Sequence, residues 1–156
     1  MLSNTAEYAL RAMVYLAAFG DRARTADEMA EKTQVPRGYL SKVMRDLRRA
    51  RLVEAQRGPN GGFVLSRSAD AISVLDVVNA VDPIKRITSC PLGLKAHSKQ
   101  LCPMHRKLDD AFRVVEESFG STMISELCES NGSKAQCTFP PMTVRGKPLA
   151  PRRPPG

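Results

Sequence analysis

The chain has no tryptophan, only 5% aromatic residues and just two histidines among 156 residues. That scarcity argues against an aromatic-rich β-sandwich. The 42% of hydrophobic residues must instead build a core from Leu, Val, Ile, Ala and Met, which favours packed helices. Acidic residues are the minority, 16 against 24 basic ones, leaving a formal charge of +8 at pH 7. Such an excess points to a polyanionic partner, either nucleic acid or an acidic membrane face. Long apolar runs are also missing. The N-terminal one, Ala12 to Phe19, has eight residues, whereas a membrane-spanning helix needs about 20. Glu7 precedes that run and Arg11 enters it, which breaks the pattern of a secretory signal, so a cytoplasmic location is expected. The four cysteines, Cys90, Cys102, Cys128 and Cys137, are not needed as a framework in a chain this long, and a thiol or metal role suits them better. No Ser/His/Asp set, phosphate loop or paired carboxylates stands in a recognisable setting, so an enzyme is not expected.

What is present begins with helices. From Ser3 to Phe19 the apolar positions Ala6, Leu10, Met13, Val14 and Ala17 recur at three- and four-residue steps, giving a helix with one buried face and Gly20 as its stop. Thr25-Ala-Asp-Glu28 matches a capping box, and a short helix is expected from Ala26 to Lys32. Thr33-Gln-Val-Pro36 interrupts the pattern, and Pro36 suits the first turn of a third helix running to Ala50. Two helices joined by a tight turn form the helix-turn-helix arrangement, whose second helix enters the DNA major groove. Charge supports it: Pro36 to Arg51 holds Arg37, Lys42, Arg45, Arg48, Arg49 and Arg51 against the single acid Asp46. Next, Leu52 to Arg57 and Phe63 to Arg67 flank the turn-rich Gly58-Pro-Asn-Gly-Gly62, which reads as a β-hairpin wing. Gly61 and Gly62 allow positive φ and would let its backbone approach another molecule closely.

A capped apolar helix follows from about Ser73 to Val81. Pro83 to Leu101 reads as loop, with Cys90 and His97 inside it and Cys102 and His105 just beyond. A single long helix from Pro103 to Leu127 carries the apolar stripe Leu108, Ala111, Phe112, Val115 and Phe119, expected to pair with a second copy of the chain because two-fold DNA sites match two-fold proteins. Residues 129–156 hold six of the eleven prolines and several basic residues, which reads as a disordered tail. The expected fold class is therefore mainly α with a small β-hairpin wing. The expected units are 1–82 as a winged helix-turn-helix, 83–102 as a cysteine-containing sensor loop, 103–128 as a dimerisation helix, and 129–156 as the tail.

Four strings carry a family resemblance: Asn4-x-x-Glu7-Tyr-Ala-Leu-Arg11, Tyr39-Leu40, Arg57-Gly-Pro-Asn-Gly-Gly-Phe63-x-Leu65, and Leu75-x-x-Val78-x-Ala80-Val81-Asp82. Over about Met1 to Leu127 the chain resembles the Rrf-two family of winged-helix repressors, the wing string being the most specific part. The resemblance implies a homodimeric transcription factor that reads double-stranded DNA, and some members hold an iron-sulfur cluster in the loop before the dimerisation helix. It places the base-reading positions on Arg37, Gly38, Ser41 and Lys42, with Tyr39 beside them, and the wing arginine on Arg57. An arginine there can offer two donors to guanine or enter a narrow minor groove. Lys42 and Arg45 suit phosphate anchoring, which positions without specifying sequence.

The cysteines depart from the family pattern. Cluster-binding relatives carry three in this loop as C-x5-C-x5-C. Here Cys90 and Cys102 match the outer pair, and Ala96 stands in the middle with His97 beside it. Imidazole can replace thiolate at such centres, which makes His97 and His105 candidates. Glu7 matches the position from which some relatives supply an acidic ligand across the dimer. The expectation is a two-iron two-sulfur cluster held by Cys90 and Cys102, with His105, His97 and Glu7 as the candidates to complete it. A zinc ion, or a metal-free thiol pair forming a reversible disulfide, are the alternatives. The sensed signal would be redox state, nitric oxide or iron-sulfur status, with no small-molecule substrate.

Overall fold

A computed structural model describes residues 2–20, 22–91, 93 and 100–129, together with the backbone of 143–144 and 147–148. Helix α1 (Asn4–Ala18) starts where the Ser3 side chain accepts the Ala6 N–H at 3.2 Å, and it buries Ala6, Ala9, Ala12, Met13 and Leu16 completely. Helix α2 (Ala26–Thr33) is capped by Thr25, whose hydroxyl accepts the Glu28 N–H. Only half of the expected capping box forms, because the Glu28 carboxylate turns away to Tyr15, Arg22 and Arg24. Three side-chain donors outbid one backbone amide. Gln34 then takes a left-handed conformation (φ 57°), and α3 (Arg37–Arg49) begins with Pro36 as its cap residue, one position earlier than its expected place inside the first turn.

The wing is β1 (Val53–Gln56) paired antiparallel with β2 (Gly62–Leu65), in the register Val53 to Leu65 and Gln56 to Gly62. After a 3-10 turn (Ala69–Ala71), α4 (Val74–Val81) carries a complete capping box: Ser73 accepts the Asp76 N–H and Asp76 accepts the Ser73 N–H. Its Val77 and Val78 join Leu40, Val43, Met44 and Leu47 of α3 in one core centred on α1.

The long helix expected over Pro103 to Leu127 is two. Helix α5 (Pro103–Ser121) ends, Thr122 and Met123 run extended, and α6 (Ile124–Glu129) follows. The reason is a backbone exchange with the head. Thr122 O accepts from Val74 N–H at 2.9 Å, and Ile124 N–H donates to Ile72 O at 2.9 Å. These bonds deliver a fully buried Ile124 into the core, where α6 packs on α1. Between residues 129 and 156, Thr143–Val144 pairs antiparallel with Lys147–Pro148. The rest of the expected tail, with Cys137, lies outside the described residues, as do Ala96 and His97.

Candidate nucleic-acid interface and thiol site

Helix α3 is divided sharply between two environments. Leu40, Val43, Met44 and Leu47 are at most 1% exposed, while Arg37, Gly38, Tyr39, Ser41, Lys42 and Arg45 all face solvent. Arg37, Ser41 and Arg45, spaced four apart, form one stripe along the helix. Its two arginines have exposed or distant ion-pair partners. Arg37 meets Asp27 of α2 with both side chains more than half exposed, and Arg45 Nε stands 3.7 Å from Asp46. Ser41 donates to the Arg37 carbonyl at 3.1 Å. Exposed pairs of this kind hold cations loosely, so phosphate can displace the carboxylates. Pro36 supplies no side-chain cap to the first turn of α3.

Tyr39 is 57% exposed, and its ring leans on Tyr8 of α1 at 5.7 Å between centroids. Burial, with Tyr39 next to it, pushes the Tyr8 phenol above its ordinary pKa. Tyr8 is thus a supporting residue that periodicity presents only as a helix position.

The glycines sort into two kinds. A side chain at Gly62 (φ 153°) would strike the Arg24 backbone at 2.4 Å, and one at Gly61 would strike Gln56 O at 2.5 Å. Both let the wing fold tightly against its own chain, and of the positive φ expected at the two, only Gly62 takes it. A Cβ at Gly38, by contrast, meets nothing within 4 Å. No packing among the described residues demands glycine there. Arg57 is exposed at the start of the wing turn, which is closed by Gly61 N–H donating to Gly58 O, and no carboxylate pairs with it among the described residues.

The Cys102 thiol, at the cap position of α5, lies 3.4 Å from Nδ1 of His105 one turn on, and the imidazole is only 8% exposed. Cys90 is half-buried in the preceding loop. Glu7 is spoken for within its own helix by Arg11, Nη2 to Oε1 at 2.8 Å. Among the described residues no three His, Cys, Asp or Glu side chains gather into a metal site. The described residues of one chain bring Cys102 and His105 together but gather no three of the donors expected for a cluster. Cys128 donates to backbone carbonyls of α1 and α6 and packs on the core, a structural placement. No helix among the described residues is long and apolar enough to cross a membrane.

Comparison with known proteins agrees with this geometry. Residues 2–130 match the Rrf2 family model, described as iron-dependent transcriptional regulator. The chain is 30% identical over 130 residues to a protein of Aquifex aeolicus named as an HTH-type transcriptional regulator, covering 81% of this chain and 90% of that one. Its fold is similar to CymR, the global cysteine regulator of B. subtilis, with a TM-score of 0.69 and 27% identity over 82% of this chain and 95% of that one. It is also similar in fold to IscR of T. potens, with a TM-score of 0.70 and 23% identity over 87% of this chain and 90% of that one.

Proposed function

Since the chain belongs to the Rrf2 family and is a transcriptional regulator rather than an enzyme, we propose that it works as a homodimeric repressor reading a pseudo-palindromic duplex through α3 and the wing. One observation carries this reading: a helix whose apolar face is sealed into the core holds its cationic face out to solvent, loosely partnered. Arg37, Gly38 and Ser41 face the base edges, with Tyr39 alongside. Lys42 and Arg45 anchor phosphate, and Arg57 reads from the wing. The second copy is supplied by α5, where Met104, Leu108, Phe112 and Val115 are exposed on one stripe although large and apolar. Selection from a pool of randomised duplexes tests the reading. The dimer should enrich an inverted repeat whose half-sites are spaced by whole helical turns, and failure to enrich any sequence contradicts it.

The signal enters through the segment containing Cys90 and Cys102. As an iron-sulfur site, Cys90, Cys102 and His105 would hold the centre with His97 or with Glu7 of the partner subunit completing it, and a bound cluster would supply redox or nitric-oxide chemistry there. The contact between Cys102 and His105 favours a second reading, since an imidazole within reach of a thiol can hold it in place for reaction. In that reading the Cys90 and Cys102 thiols join in a disulfide while peroxide is reduced to water. Iron and sulfide analysis of anaerobically isolated protein separates the two. Near-stoichiometric iron and sulfide support the cluster, whereas iron-free protein with a peroxide-induced Cys90–Cys102 crosslink supports the thiol pair.

A further inference from the structure

Arg57 can act on a duplex only if the wing is held at a set angle to α3, and the hydrogen bonds around Arg24 show what holds it. Arg24 lies between α1 and α2 and meets the wing in a single antiparallel bridge. Its N–H donates to Phe63 O at 3.0 Å, and its carbonyl accepts from Phe63 N–H at 2.8 Å. Gly62 leaves the space for that approach. The Arg24 side chain points to the other side, with Nε donating to Phe19 O at 2.8 Å and Nη1 to Glu28 Oε1 at 2.7 Å. The same Glu28 oxygen accepts from the Tyr15 hydroxyl at 3.2 Å and from Arg22 Nη2 at 3.0 Å.

One carboxylate oxygen thus gathers α1, the Arg24 bridge to the wing, and the first turn of the helix that leads into α3. Arg24 is only 9% exposed and the Glu28 side chain 22%, so water competes less for these bonds than for the surface pairs of α3. Burial alone would push Glu28 up. The hydrogen bonds from Arg24, Arg22 and Tyr15 outweigh it and hold the carboxyl below its ordinary value.

We propose that Glu28, acting through Arg24, is a positioning residue for DNA reading: it fixes the wing against the recognition helix without itself touching the duplex. This rests on the DNA-binding reading above and adds a residue to it. Losing one charge in the hub leaves α3 intact but lets the wing drift, so the damage falls where Arg57 acts and nowhere else.

The test uses the full-length dimer and the duplex that the wild type enriches from a randomised pool, with melting temperatures measured alongside. Glu28→Gln should weaken binding about tenfold, and the double variant with Arg57→Ala should bind no more weakly than Arg57→Ala alone, because coupled residues are not additive. Its hydroxyl-radical footprint should lose protection only where Arg57→Ala loses it. Tyr15→Phe removes one donor while keeping the ring, and it should give a smaller loss at the same positions; it carries the test if Glu28→Gln does not fold. Additive losses, a footprint weakened uniformly, or unchanged binding by the folded variants overturns the proposal alone. A wild type that enriches no duplex overturns the DNA-binding reading and this proposal with it.

Discussion

Arg86 grips both carboxylate oxygens of Asp109, with Nε 2.7 Å from Oδ1 and Nη2 2.6 Å from Oδ2, and reaches Glu116 with Nη1 at 3.1 Å. Asp109 Oδ1 also accepts the Ile87 N–H at 2.8 Å. Arg86 precedes Cys90 by four residues and Asp109 follows Cys102 by seven. The chain entering the cysteine segment is therefore fastened to α5, the helix on which that segment ends.

The hydrogen bonds from Arg86 hold Asp109 below its ordinary pKa, against a smaller effect of burial. A carboxylate lowered by folding contributes stability above the unfolded value of about 4, and that contribution fades as pH falls through the folded value. Asp109→Asn should accordingly melt below the wild type near neutral pH and converge with it in acid. Melting curves taken from about pH 7 to pH 3 check this. A deficit of the same size at every pH contradicts it.

Ile124 is fully buried, and Ile124→Ala should cost about 2–5 kcal/mol in urea unfolding, the range for truncating a large aliphatic side chain in a core. Leu108→Ala, on the half-exposed stripe of α5, should cost the isolated subunit far less. Equal losses would mean that α6 does not dock on the head.

The break that creates Ile124's position shows where sequence reading stopped. Helices α1 to α4 and the wing were legible because their signals are local: periodic apolar residues, Thr25 and Ser73 at cap positions, and glycines in the turn. The extended Thr122 depends on Val74, and Ile124 on Ile72, both about fifty residues away along the chain, and an apolar period continues through such a break unmarked. The β-branched Thr122 after Gly120-Ser121 is the one local hint. Glu28 was legible as a capping residue, but of its three actual donors only Arg24 stands at an i,i+4 spacing, while Tyr15 and Arg22 are brought in by the packing of α1 and the connection after it. The exposed face of α3 was legible from charge alone. The inward reason for Gly62 was not, because it depends on Arg24 lying beside the wing.

Gly38→Ala separates stability from binding. The methyl meets nothing within 4 Å, so α3 should gain about 0.5–1 kcal/mol from replacing a helical glycine. Affinity for the enriched duplex should fall because the methyl projects toward the proposed base edges. A variant that is both more stable and equally tight in anisotropy titrations would place Gly38 outside the contact.

Phe112→Asp puts a charge in the middle of the exposed α5 stripe, where Phe112 is 39% exposed and Leu108 47%. Sedimentation velocity should show a folded monomer in place of the dimer, with duplex affinity strongly reduced by the loss of paired half-sites. A dimer that survives the charge would locate the subunit contact elsewhere.

The most direct measurement of the cationic reading head is the salt dependence of duplex binding by the wild-type dimer. The logarithm of the association constant should fall linearly with the logarithm of salt concentration, at about −0.9 per phosphate contact, and Lys42→Ala should reduce that slope by about one for each contact removed. Attachment that ignores salt, or a slope left unchanged when Lys42 and Arg45 are removed together, would contradict the assignment of this face of α3 to DNA.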